Sequence, residues 1–155
     1  MATLQGMSSS FLSRWPVLQE HPVGPADLVG EVVGDQSVAR WVAAARSAYL
    51  DRCAALRRRQ QEAGLELDVE SASLPPGAAL GRPGTVVVTA GVRELWPSSF
   101  ALVVRLRPVD GDRDRAVNAN CVMRLVDPAT GEPRELGDDV RDELIALEHA
   151  AEHFN

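Results

Sequence analysis

The sequence contains no lysine: all 16 of its basic residues are arginine, set against 22 aspartates and glutamates for a formal charge of −6. Schiff-base and P-loop chemistry both need an ε-amine, so two reaction classes fall together. The acidic balance also argues against a general nucleic-acid binder. Cysteine is scarce: Cys53 and Cys121 stand far apart, with no C-x-x-C and no companion histidine spacing. Neither a zinc site nor a redox pair is indicated, and buried free thiols are the expected reading. No apolar run approaches the length of a membrane span, and residues 1–10 lack the basic start and apolar core of a signal peptide. A cytoplasmic protein outside the membrane is expected.

What is present fits one globular domain. With 155 residues, 45% of them hydrophobic, the chain is long enough for a sizeable core. Residues 1–10 read as a flexible N-terminus and 11–155 as a single domain. The stretch 11–23 is apolar but interrupted by Pro16 and Pro22, which predicts an edge or irregular strand. Residues 24–34, with three glycines and a proline, predict a loop with at most one helical turn. From Ser37 to about Ala63, apolar residues recur at three and four positions (Val38, Trp41, Val42, Ala45, Tyr49, Cys53, Leu56), which predicts one long helix ended by Gly64. Alternation predicts strands over 65–73, 98–107 and 115–126 and β-branched composition predicts one over 85–95, the three from 85 onward joined by short turns as antiparallel neighbours. A final helix is expected from Asp138 or Asp139 through Leu144 and Ala151. The fold class is therefore α+β, one antiparallel sheet laid on one helix.

The chemistry-bearing candidate is Asp27 in Asp27-Leu28-Val29-Gly30, just ahead of the long helix. A carboxylate on a loop at a helix entrance sits among free backbone N–H groups, beside which an oxyanion can bind. The plainer alternative is a turn or cap residue. Glu31 and Asp35 are rivals by proximity; the default for Glu31 is solvent, and for Asp35 the cap of the helix, two residues before its first periodic apolar position. His21, beside Pro22, reads as a surface or satisfied strand histidine. His149 and His153 have metal-capable i, i+4 spacing but no third ligand, so no metal is assigned. Trp41 and Tyr49 are core residues first and pocket lining second. Asn118 and Asn120 lie opposite the apolar row of their strand, where strand or subunit contact is the default.

Three stretches together resemble the hotdog-fold thioesterases of the 4-hydroxybenzoyl-CoA and acyl-CoA thioester hydrolase type, over about Val17 to Leu144. The first is Asp27-x-x-Gly30-x-Val32, followed by Arg40-Trp41 and Ala45-Arg46-x-x-Tyr49-Leu50. The second is Gly91-Val92-Arg93-Glu94-Leu95-Trp96-Pro97-Ser98-Ser99-Phe100, and the third runs from Cys121 to Pro133 with Leu136 behind it. Where many relatives continue G-H-V-N-N, this chain reads Gly30-Glu31-Val32-Val33-Gly34. The resemblance implies a hotdog fold, a curved sheet wrapped round one long central helix with a C-terminal helix, assembled as a homo-dimer or tetramer. It implies an acyl-CoA or acyl-carrier-protein substrate and no cofactor. The loop carboxylate would act as general base or nucleophile on the thioester, which falls on Asp27, with Gly30 as the motif glycine. Trp41, Tyr49, Asn118 and Asn120 are the candidate substrate contacts, the asparagines toward the pantetheine amides.

The altered loop keeps a second class open, a hotdog-fold protein that binds an acyl-CoA or lipid without cleaving it. A hotdog dehydratase ranks behind both, because it needs a histidine near the helix start with an acidic partner, and none of His21, His149 and His153 stands there in the sequence.

Overall fold

The computed structural model describes residues 16–153, with side chains through Glu148. The expected flexible stretch 1–10, the start of the first strand and the side chains of His149 and His153 lie outside the described residues.

The organising element is a five-stranded antiparallel sheet. Its members are β1 (Val17–Pro22), β4 (Glu66–Ser73), β5 (Thr85–Leu95), β6 (Ser99–Val109) and β7 (Val117–Val126), in spatial order β1-β5-β6-β7-β4. Period-two patterning gives the sheet one apolar face: Val86, Val88 and Ala90 of β5, Phe100, Leu102, Val104 and Leu106 of β6, and Ala119, Cys121, Met123 and Leu125 of β7 are all buried. Register follows from that pattern, since a one-residue slip would turn the whole set outward. Phe100 pairs with Met123 and Leu102 with Cys121, in line with the rows read from the sequence.

The helix α1 (Asp35–Leu50) covers this face through Val38, Trp41, Val42, Ala45 and Tyr49. The Pro-containing β1 is an edge strand, paired with β5 only. Both cysteines are buried free thiols, and burial pushes the Cys53 thiol up to about 12. The terminal helix α3 (Asp138–His153) buries Val140 and Leu144 and sends Glu148 inward. The Glu148 carboxylate accepts a hydrogen bond from the Tyr49 hydroxyl at 2.6 Å and one from the Val92 amide at 2.9 Å, beside the bulge between Val92 and Glu94.

The predicted single helix over 37–63 is two. α1 ends at Leu50, and α2 (Ala54–Ala63) begins after a turn in which the Arg52 and Cys53 amides bond back to the Tyr49 and Leu50 carbonyls. The apolar period runs straight through the break, because Tyr49, Cys53 and Leu56 are all buried against the same core. The new N-terminus is capped from afar: Glu143 of α3 accepts the Ala55 amide at 2.6 Å. Gly64 ends α2 in the left-handed conformation, as expected. The predicted loop over 24–34 also has more structure than its composition indicates. A single turn of 3₁₀ helix, Pro25–Asp27, leads into a tight hairpin of β2 (Leu28–Val29) and β3 (Val32–Val33).

Removing the distant cap tests this account of the break. Glu143→Ala should cost about 1 kcal/mol, the usual worth of an N-terminal cap, and lower the melting temperature by roughly 2–4 °C for a domain of this size. Thermal unfolding that coincides with wild type would show that the α2 terminus finds another acceptor.

Candidate active site

The loop between β1 and α1 is shaped by Asp27 itself. One carboxylate oxygen, Oδ2, accepts the Gly24 amide at 2.9 Å and so closes the 3₁₀ turn. The other, Oδ1, accepts the Ser37 hydroxyl at 2.8 Å and an Arg40 guanidinium N–H at 2.5 Å, both from α1. The Asp27 carbonyl takes the Gly34 amide at 2.8 Å, which lays the hairpin back on the helix start. The side chain is 13% exposed whereas that of Arg40 is 62% exposed, so the carboxylate is fixed and its cation reaches in from solvent. The Gly24 amide, then the Ser37 hydroxyl and Arg40, hold the Asp27 carboxyl below the usual carboxylate range against the opposing effect of burial.

Asp27 opens on a cavity of about 500 Å³. Its apolar wall is Ala26, Val29, Val32, Val33 and Ala78, and its polar wall is the first turns of α1: Asp35, Gln36, Ser37 and Arg40. A fixed anion, a neighbouring guanidinium and the positive end of a helix thus meet in one hollow. Gly77 sets the far side. A Cβ there would lie 2.2 Å from the Val33 carbonyl oxygen, so only glycine lets the 77–80 turn pack on the hairpin.

The rivals for the catalytic role separate in space. Asp35 is not the helix cap: Gly34 holds that position without a side-chain bond, and the Asp35 carboxylate accepts the Gly77 amide at 2.8 Å instead. Once the hairpin ends at Val33, the helix starts too soon for Asp35 to stand outside it. Glu31 lies at the exposed hairpin tip, paired with Arg82 at 3.1 Å, and is not part of the cavity wall. Gly30 turns the same tip at φ +66°, a left-handed position that suits glycine.

The candidate substrate contacts do not gather round Asp27. Trp41 and Tyr49 are buried core residues, the Tyr49 hydroxyl committed to Glu148. Asn118 and Asn120 are exposed on the sheet face opposite α1, across from Arg105 and Val103. His21, by contrast, stands closer to the helix start than its sequence position indicates. Its ring stacks on Trp41, centroids 5.7 Å apart. Burial and then the Arg40 charge lower its pKa, with Asp27 pulling the other way. The contact joins residues 20 apart across β1 and α1, and no local spacing signals it. Ser37 and Arg40, the direct partners of Asp27, were also not singled out by sequence; their i, i+3 spacing on the first turns of the helix was the available signal.

No protein-family model matches the sequence, and no curated protein matches it. Among solved structures, the chain is similar to a DHNA-CoA thioesterase from Staphylococcus aureus (13% identity, 89% of this chain and 94% of that one, TM-score 0.63). It is similar also to 4-hydroxybenzoyl-CoA thioesterase from Pseudomonas sp. strain CBS-3 (14% identity, 82% and 97%, TM-score 0.61). A third is Slr0204, a 1,4-dihydroxy-2-naphthoyl-CoA thioesterase from Synechocystis (16% identity, 85% and 97%, TM-score 0.60). The likeness covers most of the chain and establishes the fold: the chain has the hotdog fold.

The depressed pKa of Asp27 makes a stability prediction. A carboxyl whose folded pKa lies below its unfolded value adds stability that is full above the unfolded value and lost as pH falls through the folded one. Asp27→Asn should therefore be less stable than wild type near neutral pH, and the gap should narrow as pH drops through the carboxylate range. A gap independent of pH, measured by denaturant titration, would show that the charge of Asp27 contributes nothing to holding the loop.

Proposed function

We propose that this protein hydrolyses an acyl-CoA or acyl-carrier-protein thioester, with Asp27 as the reacting carboxylate. The observation that carries the reading is a fixed carboxylate in a cavity with one apolar and one polar wall at the start of the central helix. The three named neighbours, each a CoA thioesterase by its description, support it through their shared fold. Asp27 either accepts a proton from the attacking water or adds its own oxygen to the thioester carbonyl carbon; in both cases the C–S bond breaks and the thiolate leaves, taking up a proton, and in the second the mixed anhydride on Asp27 is then cleaved by water to release the acid and return the carboxylate. The first-turn amides of α1 stabilise charge developing on the carbonyl oxygen. An ionised Asp27 at neutral pH is the form that either route needs.

Assembly follows from the sheet edge. The outer side of β4 has no partner strand among the described residues, and its side chains are mostly exposed, Val69 among them. An eight-residue edge of this kind is a template for antiparallel pairing. A second copy joined there makes a homo-dimer with one continuous sheet, from which a tetramer can be built. No helix among the described residues is long and apolar enough to cross a membrane.

One observation favours the rival reading of a binder without turnover: Asp27 already has three hydrogen-bond partners. Steady-state hydrolysis of a panel of aromatic and aliphatic acyl-CoA esters separates the two. The hydrolase reading expects turnover of at least one ester and a fall in kcat of about 10²–10⁴-fold in Asp27→Ala. Ester binding without hydrolysis anywhere in the panel would establish the binder, and full activity in Asp27→Ala would remove Asp27 from the chemistry.

A further inference from the structure

Arg40 is the cation that lines the Asp27 cavity, and it is placed to exchange partners. Its guanidinium reaches Asp27 Oδ1 at 2.5 Å and the Ser37 hydroxyl at 3.4 Å, yet most of its side chain is in solvent. Asp27, by contrast, keeps the Gly24 amide and the Ser37 hydroxyl if Arg40 leaves, so the carboxylate stays in position when the cation moves. An ion pair whose cation is this exposed is screened by solvent and worth little. A substrate anion therefore has little to displace. A guanidinium also binds phosphate or carboxylate through paired N–H donors, a geometry the single contact to Asp27 leaves unused.

We propose that Arg40 is a counter-ion latch: at rest it caps Asp27, and an anionic group of the thioester substrate draws it away and frees the carboxylate for the reaction. Resting on the hydrolase reading, the latch makes Arg40 a positioning residue that acts through Asp27 and selects thioesters carrying a negative charge. The shared chemistry is an anionic oxygen, supplied either by the CoA phosphates or by a carboxylate on the acyl group. The charged groups facing Asp27 are Arg40 from α1 and His21 from β1, with Asp35 on the cavity wall. Arg40 is the one whose contact to Asp27 is both direct and solvent-exposed.

The test compares wild type with Arg40→Gln on three esters: benzoyl-CoA, benzoyl-pantetheine and succinyl-pantetheine. The latch expects opposite signs. On an ester whose anion engages Arg40, the variant loses about tenfold or more through KM, as expected for a lost charge-assisted hydrogen bond. On uncharged benzoyl-pantetheine the variant is at least as fast as wild type, because Asp27 is no longer capped, and the acid limb of its kcat/KM profile moves to higher pH. Loss on benzoyl-CoA assigns the anion to the CoA phosphates, and loss on succinyl-pantetheine assigns it to the acyl carboxylate. Equal losses on all three esters, or an unmoved acid limb, would overturn the latch.

A second measurement does not need turnover. In a ¹³C-carboxylate NMR titration, with the Asp27 signal assigned by its absence in Asp27→Asn, saturating CoA or a non-hydrolysable thioether analogue of succinyl-pantetheine should raise the Asp27 midpoint in wild type and leave it unmoved in Arg40→Gln. A midpoint moved by neither compound in wild type would overturn the latch. If one of them does move it but wild type hydrolyses no ester, the hydrolase reading fails and the displacement of Arg40 from Asp27 by an anion stands as a binding device alone.

Discussion

A sheet with one apolar face has to bury that face, and here α1 is the main cover, with Leu56 of α2 and Val140 and Leu144 of α3 buried in the same core. Val38, Trp41, Val42, Ala45 and Tyr49 of α1 lie on the inward rows of β5, β6 and β7. Each of the larger apolar side chains removed from water contributes on the order of 1.5–3 kcal/mol, which fixes the position of α1 on the sheet. The remaining elements accommodate it. The chain leaves β1 at the sheet edge and must cross the helix start to enter α1, and the segment that makes the crossing carries Asp27. The carboxylate then ties that segment down, with one oxygen on the loop and the other on the helix.

This arrangement places the proposed reacting carboxylate on a short connection held at both ends by rigid elements. Such support keeps a side chain in reacting geometry better than a free loop does. The same constraint accounts for the Gly77 contact and for the Asp35 bond across to it, which together bring a second loop against the hairpin and form the cavity between them. It accounts as well for the inward reach of α3. Glu143 and Glu148 satisfy backbone amides that α2 and the bulged β5 leave without a local partner, and Glu148 also takes the Tyr49 hydroxyl of α1.

The sequence made the sheet legible because its information is local. β-branched composition in 85–95 and alternation in 98–107 and 115–126 mark the strands, each within two residues of the structure, and the alternation and short turns carry the faces and the antiparallel pairing. Asp27 was legible through its order relative to the helix and to the Ala45-Arg46-x-x-Tyr49-Leu50 stretch. What escaped depends on contacts between distant residues. The helix break after Leu50 is invisible to periodicity, because Tyr49, Cys53 and Leu56 keep the same apolar spacing across it and the cap comes from Glu143. The β2–β3 hairpin has two residues per strand, too few for any period. His21 meets Trp41, Asp35 meets Gly77 and Arg40 meets Asp27 only once the chain has folded back on itself.

The central claim is that the thioester carbon sits at Asp27. A crystal structure with a non-hydrolysable S-alkyl-CoA thioether tests it most directly. The account predicts the carbon next to sulfur in the cavity between the hairpin and the first turn of α1, within about 3.5 Å of a carboxylate oxygen of Asp27, the separation of a near-attack arrangement. A thioether bound instead in the hollow that Arg93, Leu144 and Ile145 line beside α3 would contradict it.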